Sequence, residues 1–175
     1  MIKNQDVTWV SLAQDLSIAN AFTRKTATKV LLTQGMVLYK LANGTTVEKY
    51  QKPGLVTEWW SPYDAYDYDP GWEERIKLAK HLGVNIRELS RVVVAVKENW
   101  STLAYLLRVE LCCSVYGFFG GVAGQARLDP AKASKRLPGE GSSGSKGLVG
   151  SASQFYIPNL VVADMKLLEA RKLIP

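Results

Sequence analysis

The 175-residue chain is long enough to form one domain with a substantial core. Its composition, 47% hydrophobic and 22% charged, excludes an intrinsically disordered chain. Lys and Arg outnumber Asp and Glu by 22 to 16, and this net charge of +6 favours an anionic partner such as a nucleic acid, a nucleotide or an acidic protein. The single His81 and the adjacent Cys112 and Cys113 exclude a two-histidine acid–base pair and an ordinary zinc site.

The ends and the apolar runs of the chain predict no membrane association. The first 25 residues lack an apolar core behind a basic head, so no secretory signal peptide is expected. The longest uncharged run, 111–126, is shorter than the ~20 residues that a spanning helix needs and contains four glycines. We therefore expect a soluble chain whose cysteines are reduced and buried.

In the first half of the chain, the pattern predicts a helix, two strands and a second helix. Apolar spacing over 8–24 is typical of an amphipathic helix. A strand "GMVLYKLANGT" ends at the turn pair Asn43-Gly44, and "LVTEWW" is a second strand that ends before Pro62. Because strand side chains alternate, Trp59 and Trp60 must face opposite sides, and at most one enters the core directly. A helix capped near Asp69 then ends at Gly83.

The second half is less regular. "RVVVAVKE" is predicted as a central strand, and 99–125 is equally compatible with a helix or two strands. A long loop rich in Gly, Ser, Lys and Pro covers 128–153 and leads into a short strand, "SQFYIPN". The tail, 159–175, is predicted as a closing helix. The organisation is thus a single domain, 1–175, with an N-terminal helical segment (1–30) before a catalytic-type core (31–158).

The order of these segments is similar to that of a known family. The sequence contains "VLYK", "WWSP", "WEERIKLA", "VVVAV", "GxxGQ", "LPGEG" and "SQFYIPN" in that order. In this order it resembles the ADP-ribosyltransferase-type toxin domains of bacterial polymorphic and Rhs-like secreted effectors, over about residues 36–158. The resemblance implies an α+β fold with two small packed antiparallel sheets and N-terminal and flanking helices. It also implies that NAD is the substrate.

The resemblance assigns roles to five residues. Tyr39 and Lys40 match the strand where the family usually has Tyr-Arg, and a cation there grips the NAD phosphate or the nicotinamide-side ribose. Lys40 can meet a phosphate as a point charge but cannot form the bidentate fork of arginine. Trp60 and Ser61 match the aromatic–hydroxyl strand that shapes the nicotinamide pocket.

Catalysis in this family uses an acidic residue on the last strand. Gln154 matches the position where many ADP-ribosyltransferases carry the catalytic glutamate. Glutamine can bind the 2′-hydroxyl of the ribose but gives no negative charge to stabilise the oxocarbenium-like transition state. Glu140 in "LPGEG", or another acid, is then a candidate source of that charge, and loss of activity in a retained fold is an open alternative.

These assignments predict an NAD-dependent mono-ADP-ribosyltransferase that acts as a secreted effector in the cytoplasm of a target cell, in competition between bacteria. Its target is a protein or an RNA, and a cognate immunity protein is expected as a second partner. Two alternatives remain open: a basic, cofactor-independent RNase-type toxin, and a catalytically degenerate binding module. No metal site is predicted.

Overall fold

A computed structural model describes residues 1–50, 52–63, 72–83, 85–97, 100–125, 148, 150 and 152–173. The helices are α1 (Trp9–Leu12), α2 (Leu16–Ala19), α3 (Gly44–Lys49), α4 (Trp72–Leu82) and α5 (Ile86–Val94), with 3-10 turns at Thr23–Lys25 and Val162–Asp164. The strands are β1 (Thr28–Leu32), β2 (Val37–Ala42), β3 (Trp59–Trp60), β4 (Tyr105–Leu111), β5 (Val115–Gly121), β6 (Ser153–Tyr156) and β7 (Met165–Lys172). None of the helices described is long and apolar enough to cross a membrane.

The strands form two small antiparallel sheets, which confirms the predicted α+β class. One sheet has the order β1-β5-β6-β3 and the other the order β2-β4-β7. The main core lies between them, because its buried side chains come from both sheets: Leu32, Val115, Trp60 and Phe155 from the first, and Leu38, Leu107, Val109, Leu111 and Met165 from the second. Burial of this apolar surface holds the two sheets together.

The N-terminal segment forms two short helices in place of the single helix expected over 8–24. Thr8 caps α1 through Ser11, and Asp15 caps α2 by accepting the Ser17 amide at 2.8 Å. Asp15 therefore starts a new helix where the apolar spacing alone predicts continuation. The segment packs its Phe22 side chain, 1% exposed, on the outer face of the β1-β5-β6-β3 sheet.

The central strand predicted for "RVVVAVKE" is wrong, because its first four residues, 91–94, form the last turn of α5 and residues 95–97 lie beyond the helix end. Asn85 accepts the Glu88 amide at 2.9 Å and starts the helix, and Ala95, in the left-handed region (φ 50°), ends it. The Arg91 side chain, 4% exposed, donates to the carbonyls of Val96, Lys97 and Ser101 beyond the helix end. The cap that Asn85 and Glu88 form stabilises the start of the helix, and this outweighs the preference of the three valines for a strand.

The closing helix predicted for 159–175 is also wrong, since this segment contributes β7, an edge strand paired with β4. Val109 pairs with Leu167 but Arg108 pairs with Glu169, so Leu168 is an extra residue in the strand. This bulge breaks the alternation of apolar and polar side chains that identifies a strand in a sequence. Pairing with β4 then satisfies backbone groups that would otherwise lack partners.

The other predicted elements fare better. Strands β2 and β6 and helix α4 lie where the sequence predicts them, and the ambiguous 99–125 region forms two strands, β4 and β5. Of the strand predicted for "LVTEWW", only Trp59–Trp60 forms β3, and the predicted helix cap at Asp69 lies outside the described residues. The strand β2 ends before the predicted turn pair Asn43-Gly44, and Gly44 is the first residue of α3. Both cysteines are free, but Cys112 is exposed and only Cys113 is partly buried. Most of the predicted loop, including all of 128–147, lies outside the described residues.

Candidate functional site

Within the part of the chain that the structure describes, the backbones of Tyr39 and Ser61 join the two sheets. The Ser61 amide donates to the Tyr39 carbonyl at 2.8 Å, and the Tyr39 amide donates to the Ser61 carbonyl at 3.0 Å. Strand β3 pairs with β6 through Trp60 and Phe155, and continuing this register by one residue brings Ser61 opposite Gln154. Tyr39, Ser61 and Gln154 therefore occupy one row across β2, β3 and β6.

These three side chains lie on the outer face of the strands, away from the main core. Each follows or precedes a buried neighbour in its strand: Leu38 beside Tyr39, Trp60 beside Ser61, and Phe155 beside Gln154, all 5% exposed or less. Because successive strand side chains point to opposite faces, the three residues share the other face. All three are partly exposed, as a site that admits a ligand requires.

Gln154 is held by a contact to the N-terminal segment. Its amide nitrogen donates to the Ala21 carbonyl at 2.8 Å, and on the β5 side its backbone pairs with Gly120. The chain around Ala21 and Phe22 therefore forms one border of the row. Gly120 permits this close approach, since a Cβ there would lie 2.7 Å from Phe22 Cδ1.

The two tryptophans face opposite sides, as alternation predicts. Trp60 is 2% exposed in the main core, where its indole nitrogen donates to the Thr57 carbonyl at 2.9 Å and its ring meets Tyr50 edge to face. Trp59 is half-buried on the face that carries Ser61, with its ring centroid 4.8 Å from that of Tyr156 and 5.6 Å from that of Phe22. The aromatic side chain beside Ser61 on the outer face is thus Trp59, and Trp60 packs on the core side of β3.

The Lys40 side chain leaves β2 on the core face, between the two sheets, because adjacent strand residues point to opposite faces and Tyr39 points outward. Its ammonium group donates to Thr57 Oγ1 at 3.3 Å and to the Trp59 carbonyl at 3.2 Å. Burial lowers the pKa of Lys40 to about 8, against the opposing attraction of Glu58. Two of its three donors are therefore used to hold β3 against β2.

Three further residues border the row and were not among the candidate site residues predicted from the sequence. Trp59 and Tyr63 lie two residues either side of Ser61, and the Tyr63 hydroxyl accepts the Ser153 amide at 3.2 Å. Arg108 on β4 pairs with Tyr39 and is exposed. Alternation about Ser61 could have indicated the first two, but the third needs the pairing of β2 with β4, which the sequence does not give. Glu140 lies outside the described residues.

The row offers hydroxyl, amide and aromatic groups for a ligand, with a guanidinium at one end. No group of three His, Cys, Asp or Glu side chains within the described ranges could hold a metal ion. Such a site can orient a polar substrate by hydrogen bonds, stack a flat ring and bind an anion.

Comparison with known proteins gives one fold relationship. No family model matches the sequence, and no curated protein matches it significantly. Among solved structures, the chain is similar to the structure described as Tne2 in complex with Tni2, with a TM-score of 0.51 and 10% sequence identity. The match covers 85% of this chain and 92% of the other. The likeness extends over most of both chains and is one of fold.

Proposed function

We propose that this protein is an NAD-dependent ADP-ribosyltransferase of the toxin or effector type, which cleaves NAD and transfers ADP-ribose to a macromolecule. The observation that carries the proposal is the row formed by Tyr39, Ser61 and Gln154. These residues are separated by up to 115 positions in the sequence, and the family resemblance assigns them to a single site. Their convergence on one face of three neighbouring strands is what that assignment requires.

The groups in the row suit cleavage of the nicotinamide–ribose bond. Trp59 offers an aromatic surface to the nicotinamide ring, and the Ser61 hydroxyl and the Gln154 amide can bind polar groups of the nicotinamide and its ribose. Cleavage breaks the bond between the ribose C1′ and the ring nitrogen of nicotinamide. The bonding electrons stay with the ring, and neutral nicotinamide leaves. A nucleophile of the target then forms the new bond at C1′ and loses a proton.

The toxin part of the proposal is supported by the fold. Tne2, which this chain resembles over most of its length, was solved in complex with a second protein, Tni2. A dedicated protein partner is what a toxin with an immunity protein requires. The net charge of +6 favours an acidic partner of this kind.

The test is release of nicotinamide from NAD by the purified protein, together with transfer of labelled ADP-ribose to a bacterial lysate. We expect both from the wild type, and a reduction of at least about tenfold in Ser61→Ala, equivalent to the loss of one good hydrogen bond. Thr28→Ala, which removes an exposed hydroxyl from the far edge strand β1, is the matched control and should retain full activity.

Two outcomes would overturn parts of the proposal separately. Nicotinamide release without labelling of any macromolecule would mean that water is the acceptor, and the transferase step would be wrong. No release, combined with cleavage of RNA in the absence of NAD, would replace the proposal with the RNase alternative. A Glu140→Ala variant in the same assay tests whether that residue supplies the negative charge near the ribose.

A further inference from the structure

The row that contains Tyr39, Ser61 and Gln154 continues onto a fourth strand, β4. Tyr39 pairs with Arg108 on β4, and Arg108 pairs in turn with Glu169 on β7. Both neighbours of Arg108 in its strand, Leu107 and Val109, are completely buried. Arg108 must therefore point to the opposite, outer face, which is the face of Tyr39 and Ser61.

The Arg108 guanidinium is available for a ligand. It is exposed, and it forms no ion pair with any residue that the structure describes, although Glu169 lies directly opposite in the sheet. An arginine presents a planar fork of donors that matches two phosphate oxygens at once. Adjacent strands lie about 4.8 Å apart, so the strand that carries Arg108 is roughly 10 Å from the one that carries Ser61.

We infer that Arg108 is a diphosphate-binding residue of the candidate site, which takes the place of the arginine that the family resemblance expects beside Tyr39. This inference rests on the proposed function, because it takes the NAD diphosphate as the ligand. In NAD, the diphosphate is attached to the same ribose whose other end carries nicotinamide. A cation two strands from Ser61, on the same face, is therefore positioned to hold one end of the substrate while Ser61 and Gln154 hold the other.

Lys40 is the less suitable cation, although it follows Tyr39 directly. It starts on the opposite face of β2, and its ammonium group already donates to Thr57 and to the Trp59 carbonyl. Using it for a phosphate would break the contacts that hold β3 in place. No side-chain hydrogen bond or ion pair joins Arg108 to another of the described residues.

The experiment compares two substrates that differ in the diphosphate. NAD contains it, and nicotinamide riboside has the same scissile bond without any phosphate. We expect Arg108→Gln to lower kcat/KM for NAD by about 10- to 100-fold, the loss of hydrogen bonds to a charged group, and to leave kcat/KM for nicotinamide riboside unchanged. Arg108→Lys should recover part of the difference. Equal effects on both substrates would show a merely structural role and overturn the inference.

The control is Lys166→Gln, which removes a positive charge from the same outer face of the sheet, opposite Glu110. Its two rates should remain at the wild-type values. Glu169→Gln removes the carboxylate opposite Arg108 and should increase the affinity for ADP-ribose about twofold. A loss of affinity in that variant, equal to the loss in Arg108→Gln, would contradict direct binding of the ligand by Arg108.

Binding of ADP-ribose, measured by calorimetry, separates this inference from the proposed function. If the wild type releases no nicotinamide but binds ADP-ribose, and Arg108→Gln weakens that binding, the proposed activity is wrong and the diphosphate site stands. If the wild type cleaves NAD and Arg108→Gln binds ADP-ribose as tightly as the wild type does, the activity stands and the site is wrong. If the wild type binds no ADP-ribose, the diphosphate site is wrong.

Discussion

The outer faces of the two sheets differ in chemistry. On the β1-β5-β6-β3 sheet, the outer face carries aromatic side chains, and the N-terminal segment covers it with Trp9 and Phe22. On the β2-β4-β7 sheet, part of the outer face carries charged side chains opposite one another, Arg108 with Glu169 and Glu110 with Lys166. The backbone pair of Tyr39 and Ser61 joins the two faces, so a ligand that lies across the pair meets the partly exposed Trp59 on one side and charges on the other.

The largest expected effect comes from removing the aromatic cover. Phe22→Ala should lower the free energy of unfolding by about 3–5 kcal/mol, because a fully buried aromatic ring is replaced by a cavity between Trp9 and Trp59. Urea denaturation gives the value. Val10→Ala, in the same segment but 75% exposed, should change it by less than about 0.5 kcal/mol. Similar values for the two variants would mean that the cover contributes little.

Gln154→Glu tests how the N-terminal segment is held over the row. A carboxylate cannot donate to the Ala21 carbonyl, so we expect a loss of about 1–3 kcal/mol in the free energy of unfolding at pH 7. The control is Gln125→Glu, since the exposed Gln125 amide donates to the adjacent Asn20 carbonyl at 3.2 Å. That variant should lose much less. A Gln154→Glu variant with unchanged stability and raised nicotinamide release would instead favour a catalytic carboxylate at this position.

The pH dependence of the free energy of unfolding tests whether Lys40 is buried between the sheets. Its pKa is about 8 in the folded protein and 10.5 in the unfolded chain, so the unfolded chain binds more protons between these values. The free energy of unfolding contributed by Lys40 should therefore rise as pH increases from 8 to 10.5, by roughly 1–2 kcal/mol. Lys40→Met should be free of this rise. Parallel pH profiles for the wild type and the variant would show that the ammonium is well solvated.

The smallest effect is expected on the charged face. Arg108→Gln and Lys166→Gln should each change the free energy of unfolding by less than about 0.5 kcal/mol, because both side chains are exposed and surface charges contribute little. Thermal and urea unfolding of the two variants would check this. A large loss in Arg108→Gln alone would indicate that the pairing with Glu169 supports the sheet.

Local sequence pattern is sufficient to predict a strand where apolar and polar residues alternate without interruption between turn residues. Strands β2, β3 and β6 follow from alternation and from turn residues, and they carry Tyr39, Ser61 and Gln154. The order of short motifs assigned these three to one site, and the register brings them into one row. At helix α5 two local signals conflict: the valine run favours a strand, whereas Asn85 and Glu88 form a recognisable helix start.

Other features depend on pairing that no local pattern contains. The position of Arg108 beside Tyr39 follows from the register of β2 with β4. Strand β7 is stabilised by hydrogen bonds to the other edge of β4, which are not visible in its own sequence. Which of Trp59 and Trp60 lies on the outer face depends on which side of β3 faces the core, and alternation alone leaves that choice open.

The bulge at Leu168 has a consequence for how the protein behaves at high concentration. Strand β7 lies at the edge of its sheet, and an open, flat edge is a template on which a second copy can add its own strand. An extra residue bends and twists the strand at that point, and exposed Lys166, Glu169 and Lys172 keep water around the edge. The same irregularity that obscures the strand in the sequence therefore protects the folded chain from polymerising through this edge.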